Sequence, residues 1–242
     1  MEPHKRTIAV VIPAFNEEKA IRGVVEDVCS SLHGQGVDAH IIVVNDGSSD
    51  GTAVAVHRLP CTLLNLPFNL GIGAAVQLGF RYARKLGCDA AVQVDGDGQH
   101  PAREIGRLLE PILNDSADVV IGSRFLLKGG SRSTLGRRIG IRYFNALVGL
   151  LIGRRITDST SGFRALNCRA LEVCAEEYPD QYPEPEAIVS FTKRNLRIAE
   201  VSVLMSDRQG GQSSINTFAG FVYMIKVSLA MLIAVLRTHQ ER

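Results

Sequence analysis

The chain has 242 residues, 45% of them hydrophobic and 21% charged, with 23 Gly, 9 Pro and no Trp. That length and apolar content fit one large α/β domain with a sizeable core and exclude a disordered chain. The formal net charge of +2 argues against a nucleic-acid binder, and five scattered Cys (29, 61, 88, 168, 174) without a C-x-x-C pair argue against a disulfide framework or a zinc site and for reduced thiols in a cytosolic setting.

In chain order, Met1–Arg6 is short and charged, and the apolar stretch Ile8–Ile12 stops at Pro13, too short for a signal-peptide core. Thr7–Ile12 is predicted as a buried strand and Glu17–Leu32 as a helix with an acidic first turn. Ala39–Val44 is a strand leading into the turn-rich Asn45–Gly51; a short helical segment, the strand Cys61–Leu64 and the loop Asn65–Gly71 follow. Gly71–Leu86 is a helix, Ala90–Val94 a strand, Asp95–His100 a loop, and Ala102–Leu113 a helix opened by Pro101, before the strand Asp118–Ile121. Short strands alternating with longer helices predict a mostly parallel, Rossmann-like α/β sheet with helices on both faces. Ligands of such sheets bind outside the carboxyl ends of the strands, where the polar segments fall.

Charge is distributed unevenly along this pattern. Residues 1–118 carry 10 Lys/Arg and 15 Asp/Glu, whereas residues 119–171 carry 10 basic residues against Asp158 alone. Such a block is either a solvated basic face or a surface for anions such as phosphates or an acidic membrane. Within it Arg138–Ile152 is amphipathic, with Ile141, Phe144, Val148 and Ile152 on one side and Arg138 and Arg142 on another; it is a core helix or a membrane-surface helix. Phe218–Leu236 is apolar except for Lys226 and Ser228, with Phe218, Phe221, Ile225, Leu229, Leu232 and Leu236 sharing one face. A central Lys is costly inside a bilayer, so this C-terminal apolar helix is expected at an interface or against a membrane partner rather than across the membrane. The chain is expected to divide into a main α/β region, 1–213, and this tail, 214–242.

Three segments carry chemistry. In Asp95-Gly-Asp97-Gly-Gln99-His100 two carboxylates follow a buried strand, with Gly between them and a neutral oxygen at Gln99; this suits Mg²⁺ or Mn²⁺ that keeps positions open for water and diphosphate, unless it is an acidic helix-capping turn. His100 is a further ligand or a packed residue. In Asn45-Asp-Gly-Ser-Ser-Asp-Gly51-Thr52, Asp46 at the sheet edge can accept hydrogen bonds from a nucleobase or ribose, while Asp50 or Ser49 caps the next helix. Asn69-Leu-Gly71-Ile-Gly73 opens a helix toward the same edge, but Val76 replaces the third Gly of a dinucleotide fingerprint.

Together with Pro13-Ala-Phe-Asn-Glu17, Gly122-Ser-Arg124, Thr160-Ser-Gly-Phe-Arg164 and Arg208-Gln-Gly-Gly-Gln-Ser-Ser-Ile215, these segments resemble family 2 glycosyltransferases of GT-A fold, most closely the dolichol- and polyprenyl-phosphate sugar synthases. Gly96, where that family usually has Ala, is a mild departure. The resemblance implies that Pro13, Glu17 and Asp46 line the nucleoside pocket, with Arg164 and Ser213 also toward the nucleotide sugar. It places Asp95, Asp97 and Gln99 on metal and diphosphate, Arg124 and Arg132 on the phosphates of donor and acceptor, and Arg208 in a loop closing over the diphosphate. Arg132 is otherwise plain loop surface, and Ser161–Arg164 a structural turn.

It further implies inverting transfer of mannose, glucose or N-acetylglucosamine from a GDP- or UDP-sugar to a polyprenyl or dolichyl phosphate. The chain is then peripheral on the cytoplasmic face of the membrane, alongside a small membrane protein partner. A phosphate monoester has a second pKa of ~6 and is already nucleophilic at neutral pH, so no general base is required. If the acceptor is instead a glycan or protein hydroxyl, Glu184 and Glu186 are the candidate bases, their other role being to cap a helix that begins near Pro185. A non-catalytic nucleotide-sugar-binding subunit of a membrane complex is the remaining alternative.

Overall fold

The computed structural model describes residues 6–34, 37–126, 135–180, 183–206 and 224–233. Seven strands form one sheet: β1 (Ile8–Ala14), β2 (Ala39–Asn45), β3 (Thr62–Asn65), β4 (Ala90–Gln93), β5 (Val119–Ser123), β6 (Arg164–Asn167) and β7 (Ile198–Ser202), in the order β3-β2-β1-β4-β6-β5-β7. β1 pairs in parallel with β2 and β4, and β5 with β7, whereas β6 runs antiparallel to β4 and β5. The predicted mostly parallel GT-A-like sheet is therefore present, with one reversed strand that the sequence pattern had not marked.

The helices are α1 (Ile21–Gly34), α2 (Thr52–Val56), α3 (Ile72–Lys85), α4 (Ile105–Leu113), α5 (Leu135–Ile152), α6 (Cys168–Glu176) and α7 (Pro183–Lys193); residues 224–233 are also helical. Every residue of β1 is buried, because an interior strand covered on both faces has no polar side to show. Its side chains alternate between two cores. Ala9 and Val11 join a cluster with Phe80 of α3 and Phe191 of α7, while Ile8, Val10 and Ile12 join one with α1 and α4. Gly79 lets α3 lie on the sheet, since a Cβ there would collide with Val11.

One expectation is corrected, and one open alternative is decided in favour of a core helix. The first helix begins at Ile21 rather than Glu17, because Glu17 and Glu18 are used in a turn: the Glu17 carbonyl accepts from the amides of Ala20 and Ile21. The side of α5 carrying Ile141, Phe144, Val148 and Ile152 is not a membrane face. Ile141, Phe144 and Val148 are buried and Ile152 is partly buried against the core, while Ile139, Tyr143 and Leu150 are its exposed large apolar residues. The C-terminal segment, in contrast, buries Val227 and Met231 and exposes Ile225, Leu229 and Leu232 of the predicted apolar face. Phe218, Phe221 and Leu236 lie outside the described residues. Among the described residues no helix is long and apolar enough to cross a membrane.

Candidate active site

β1 through β5 and β7 share a direction, so their carboxyl ends lie on one edge, and antiparallel β6 begins there. Strands 1, 2 and 3 build outward one way and β4 starts the other, so the gap between the ends of β1 and β4 is a topological switch point. A cleft of about 490 Å³ opens at that point. It is walled by Pro13 near the end of β1, Phe15 and Glu17 after it, Asp46 after β2, Asn69, Gly71 and Ile72 at the start of α3, and Asp95, Gly96 and Asp97 after β4.

The side of the cleft formed by the end of β2 and the start of α3 is shaped by backbone. Asp46 is buried, and its carboxylate accepts from the amides of Leu70 (2.8 Å) and Gly71 (3.0 Å), so it fixes the loop that opens α3. Charge-assisted bonds of this kind contribute roughly 1.5–3 kcal/mol each. Gly71 sits at φ +94°, in the region that favours glycine, and α3 starts there without a side-chain cap. A Cβ at Gly73 would run into the carbonyl oxygens of Pro179 and Asp180, so the helix start is wedged against the segment before α7. Asp50 accepts from the amides of Thr52 (3.0 Å) and Glu18 (3.2 Å) in a turn before α2, whose N-cap is Gly51 rather than the anticipated Asp50 or Ser49; burial works to raise its carboxyl, but these hydrogen bonds hold it below the usual range.

On the metal side, Gly96 packs under β1. A Cβ there would sit 2.9 Å from the Pro13 oxygen, which is a local reason for Gly at this position. Asp97 Oδ1 accepts from the Gln99 amide (3.0 Å), and Asp95 Oδ1 from Gln93 Nε2 (3.3 Å). His100 is the packed residue, not a spare ligand. Its Nδ1 accepts the Asp95 amide (3.0 Å), its ring stacks on Phe163 (4.7 Å between centroids), and its Nε2, which then carries the proton, stands 3.7 Å from Asp95 Oδ2. Gly162, before β6, allows this approach, since a Cβ there would come within 3.1 Å of the Asp95 carboxylate.

The donor set fits a hard, hexacoordinate cation: Asp95 and Asp97 line the same cleft, and no group of three or more His, Cys, Asp or Glu among the described residues forms a full cage. Two carboxylates with room for water and diphosphate oxygens suit Mg²⁺ or Mn²⁺ and not a closed zinc site.

The basic side is held by buried polar groups. Arg124, just after β5, binds Asp158 through Nε (2.7 Å) and Nη2 (2.8 Å), and Thr160 Oγ1 through Nη2 (3.0 Å). Burial works to lower its pKa, but the bonds and charge of Asp158, with Asp95 and Glu184 nearby, raise it, so the guanidinium is a fixed cation beside the carboxylates. Arg164, offered above as a nucleotide-sugar contact, lies under the site rather than in it. It is 2% exposed and donates to the carbonyls of Ser161 (2.8 Å), Ser159 (3.3 Å) and Glu184 (2.7 Å), which makes Ser161–Arg164 the structural turn. Glu184, part-buried in the first turn of α7, has its carboxyl raised by desolvation, with Arg164 opposing. Arg132, Arg208 and Ser213 lie outside the described residues.

Sequence reasoning passed over Asp158, although it is the single acid of the basic block, and that isolation was the available signal. It named the segments holding Phe15, Asn69 and Ile72 without giving these cleft-wall residues a role, and it passed over Asn145 and Glu200, which carry no motif.

Residues 9–174 match the family described as Glycosyl transferase family 2. The chain is 34% identical over 218 residues to the UDP-N-acetylglucosamine--dolichyl-phosphate N-acetylglucosaminyltransferase of Methanococcus voltae, covering 82% of this chain and 85% of that protein. It is 30% identical over 226 residues to the polyprenol monophosphomannose synthase of Mycolicibacterium smegmatis, covering 84% and 83%. In fold it is similar to the glucosyl-3-phosphoglycerate synthase of Mycobacterium tuberculosis, solved with Mn²⁺, uridine diphosphate and phosphoglyceric acid, with a TM-score of 0.72, 21% identity, and coverage of 95% of this chain and 78% of that one. The same enzyme has been crystallised with Mg²⁺ and uridine diphosphate. The sheet order, the cleft at the switch point and these matches together establish that the chain is a glycosyltransferase of family 2.

Proposed function

We infer that this enzyme moves a hexose from a nucleoside-diphosphate sugar to the phosphate of a polyprenyl or dolichyl lipid. The observation that carries this reading is the juxtaposition of opposites at one sheet edge: the cleft carboxylates Asp95 and Asp97, and Arg124 close enough to Asp95 for its charge to be felt. The names of the two similar proteins above supply the substrate class.

Pro13, Glu17 and Asp46 border the nucleoside, and the uncapped start of α3 favours the negative diphosphate. Asp95 and Asp97, with Gln99, hold Mg²⁺ or Mn²⁺, which when bound neutralises charge on the leaving diphosphate. Arg124, with Arg132 and Arg208, holds the acceptor phosphate against the donor despite their mutual repulsion. A phosphate oxygen attacks the anomeric carbon as the bond to the β-phosphate oxygen breaks; the configuration inverts and the nucleoside diphosphate departs with the electron pair. No proton has to be removed from the acceptor, so no base is assigned.

The exposed Ile225, Leu229 and Leu232, with Tyr143 and Leu150 of α5, face the membrane that carries the lipid. In this reading a catalytic region, 1–213, works at the cytoplasmic surface, and a tail, 214–242, meets lipid or a small membrane protein. The purified single chain, assayed with UDP- and GDP-sugars, Mg²⁺ or Mn²⁺ and polyprenyl phosphate, should form a lipid-linked sugar. Transfer only to a hydroxyl acceptor, or no turnover, would sink the reading.

A further inference from the structure

Helix α5 faces two ways. Tyr143 Oη lies 2.9 Å from Ser228 Oγ in the helix over residues 224–233. Ser228 Oγ already donates to the Met224 carbonyl (2.7 Å), so the proton between the two hydroxyls is the tyrosine's. Two residues on, about 200° around the helix, Asn145 points to a different part of the molecule. Its Nδ2 donates to the Thr157 carbonyl, and its Oδ1 accepts from both the amide and the hydroxyl of Ser159 (2.8 Å each). Both ends of one side-chain amide therefore bracket Asp158.

From the other side, Glu200 of β7 accepts from the amides of Thr157 (2.9 Å) and Asp158 (3.0 Å) and from the Thr157 hydroxyl (2.8 Å). Asp158, at the centre of this bracket, holds Arg124 by its backbone amide, Nε and Nη2. The path from the exposed helix pair to the cationic site thus runs Ser228, Tyr143, Asn145, the 157–159 segment, Asp158, Arg124. Tyr143 and Asn145 are joined by the backbone of α5 alone, and each contact from Asn145 onward is a directional, part-buried hydrogen bond, so displacement of α5 displaces the carboxylate that orients the guanidinium.

We propose that Asn145 is a positioning residue for the acceptor phosphate, transmitting the seating of α5 and the 224–233 helix to Arg124 through the Thr157–Ser159 segment. The inference rests on the assignment of Arg124 to the acceptor phosphate made above. It predicts that the acceptor site is well formed only when the helix pair is correctly packed.

The test is steady-state kinetics of the full chain with undecaprenyl phosphate and whichever nucleotide sugar supports transfer. Asn145→Ala should raise the KM for the lipid phosphate about tenfold, as expected for the loss of two or three neutral hydrogen bonds. The KM for the nucleotide sugar should stay within about twofold and the unfolding midpoint within a few degrees. Asn145→Asp, which keeps the size and the acceptor for Ser159, guards against a folding artefact and should show the same split. Tyr143→Phe should raise the lipid KM less, and its effect should vanish in the Asn145→Ala background; additive effects would show that the helix pair does not act through Asn145.

An unchanged lipid KM, or a fall in every parameter together with the unfolding midpoint, overturns the proposal. If the wild type does not use undecaprenyl phosphate at all, the functional reading fails, and amide exchange then decides the positioning role alone. Lost protection over residues 157–161 in Asn145→Ala supports it, and unchanged protection overturns it.

Discussion

The two halves of the sheet solve the same problem in opposite ways. From β3 to β4 the strands are parallel, the cleft wall is set largely by backbone, and close approach is obtained with Gly73 and Gly96. From β6 to β7 a reversed strand enters, and the edge is held by ionised groups taken out of water: Arg124 with Asp158, Glu200 on the 157–158 amides, Arg164 on three carbonyls. A nucleotide needs a shape, which apolar packing and glycines provide. Two phosphates need cations that do not swing, and only a second network can hold a guanidinium still. Buried ion pairs are weak evidence for stability, since apolar replacements are often as stable. Their concentration in one half therefore speaks for position.

The largest effect should come from removing a charge where the halves meet. Asp97→Ala should reduce turnover by at least about 10³-fold, and chelation of the divalent ion should do the same to the wild type. Titration of Mg²⁺ or Mn²⁺ against activity, with the unfolding midpoint nearly unmoved, is the check. Full activity in a chelator would break the assignment of this half to metal and diphosphate.

Next comes the ion pair that defines the other half. Asp158→Ala leaves the Arg124 guanidinium buried without its partner and should cost about 3–5 kcal/mol in denaturant unfolding, with acceptor use lost as well. Replacing both residues by apolar side chains of similar volume should restore much of the stability and none of the activity. Activity that returned with stability would show that the network is only structural.

The contrast also explains what the sequence could convey. The parallel half was legible because its strands are continuous apolar runs ending in turn residues, and a run such as Ile8–Ile12 has few alternatives. Its site residues Pro13, Glu17, Asp46, Asp95 and Asp97 sit directly after those runs, and the structure gathers all five around one cleft. The basic half was not legible in the same way. β6 is four residues long and reversed, which no local pattern announces, and Arg164 read as a ligand contact although tertiary packing had already engaged it. The apolar face of α5 gave the period and left its cover open, because a helical stripe does not say whether protein or lipid lies against it. Asn145 meets Thr157 and Ser159 across 12 and 14 residues, and spacing of that kind has no sequence signature.

Away from the cleft, the opposite edge of the same half offers a smaller and purely structural effect. Asp118, at the start of β5, accepts from the Arg197 amide (2.7 Å) and guanidinium (2.9 Å) and from Asn167 Nδ2 (2.8 Å). The hydrogen bond of the Arg197 side chain, opposed by burial and aided by the other donors, holds the carboxyl down at about 2. The folded pKa lies below the unfolded one, so this stabilisation, about 2 kcal/mol, is complete above about pH 4 and is lost as pH falls toward 2. Asp118→Asn should lower stability by that amount at pH 7 and flatten the acid limb of the stability curve, with lipid transfer unchanged. A loss of transfer would mean that the two edges of this half are coupled.

The smallest effect is expected at Glu184, and its smallness is the point. The residue has a feature wanted in a general base, a carboxyl raised by desolvation, and it lies near Arg164, Arg124 and Asp95. If a hydroxyl were the acceptor, Glu184→Gln would remove the base and cost on the order of 10²–10⁴ in turnover. With a phosphate acceptor the nucleophile arrives deprotonated, so the same substitution should leave turnover within about twofold between pH 6 and 8. Stability gives an independent reading of the same group. An acid whose folded pKa is raised is tolerated while protonated and loses stability as pH rises through that pKa, so wild type should fall relative to Glu184→Gln as pH increases. Unfolding curves that show this trend, together with an unchanged rate, would mean that the basic half has a carboxylate suited to be a base and does not use it. A large loss of rate would transfer this half from holding phosphates to activating a hydroxyl.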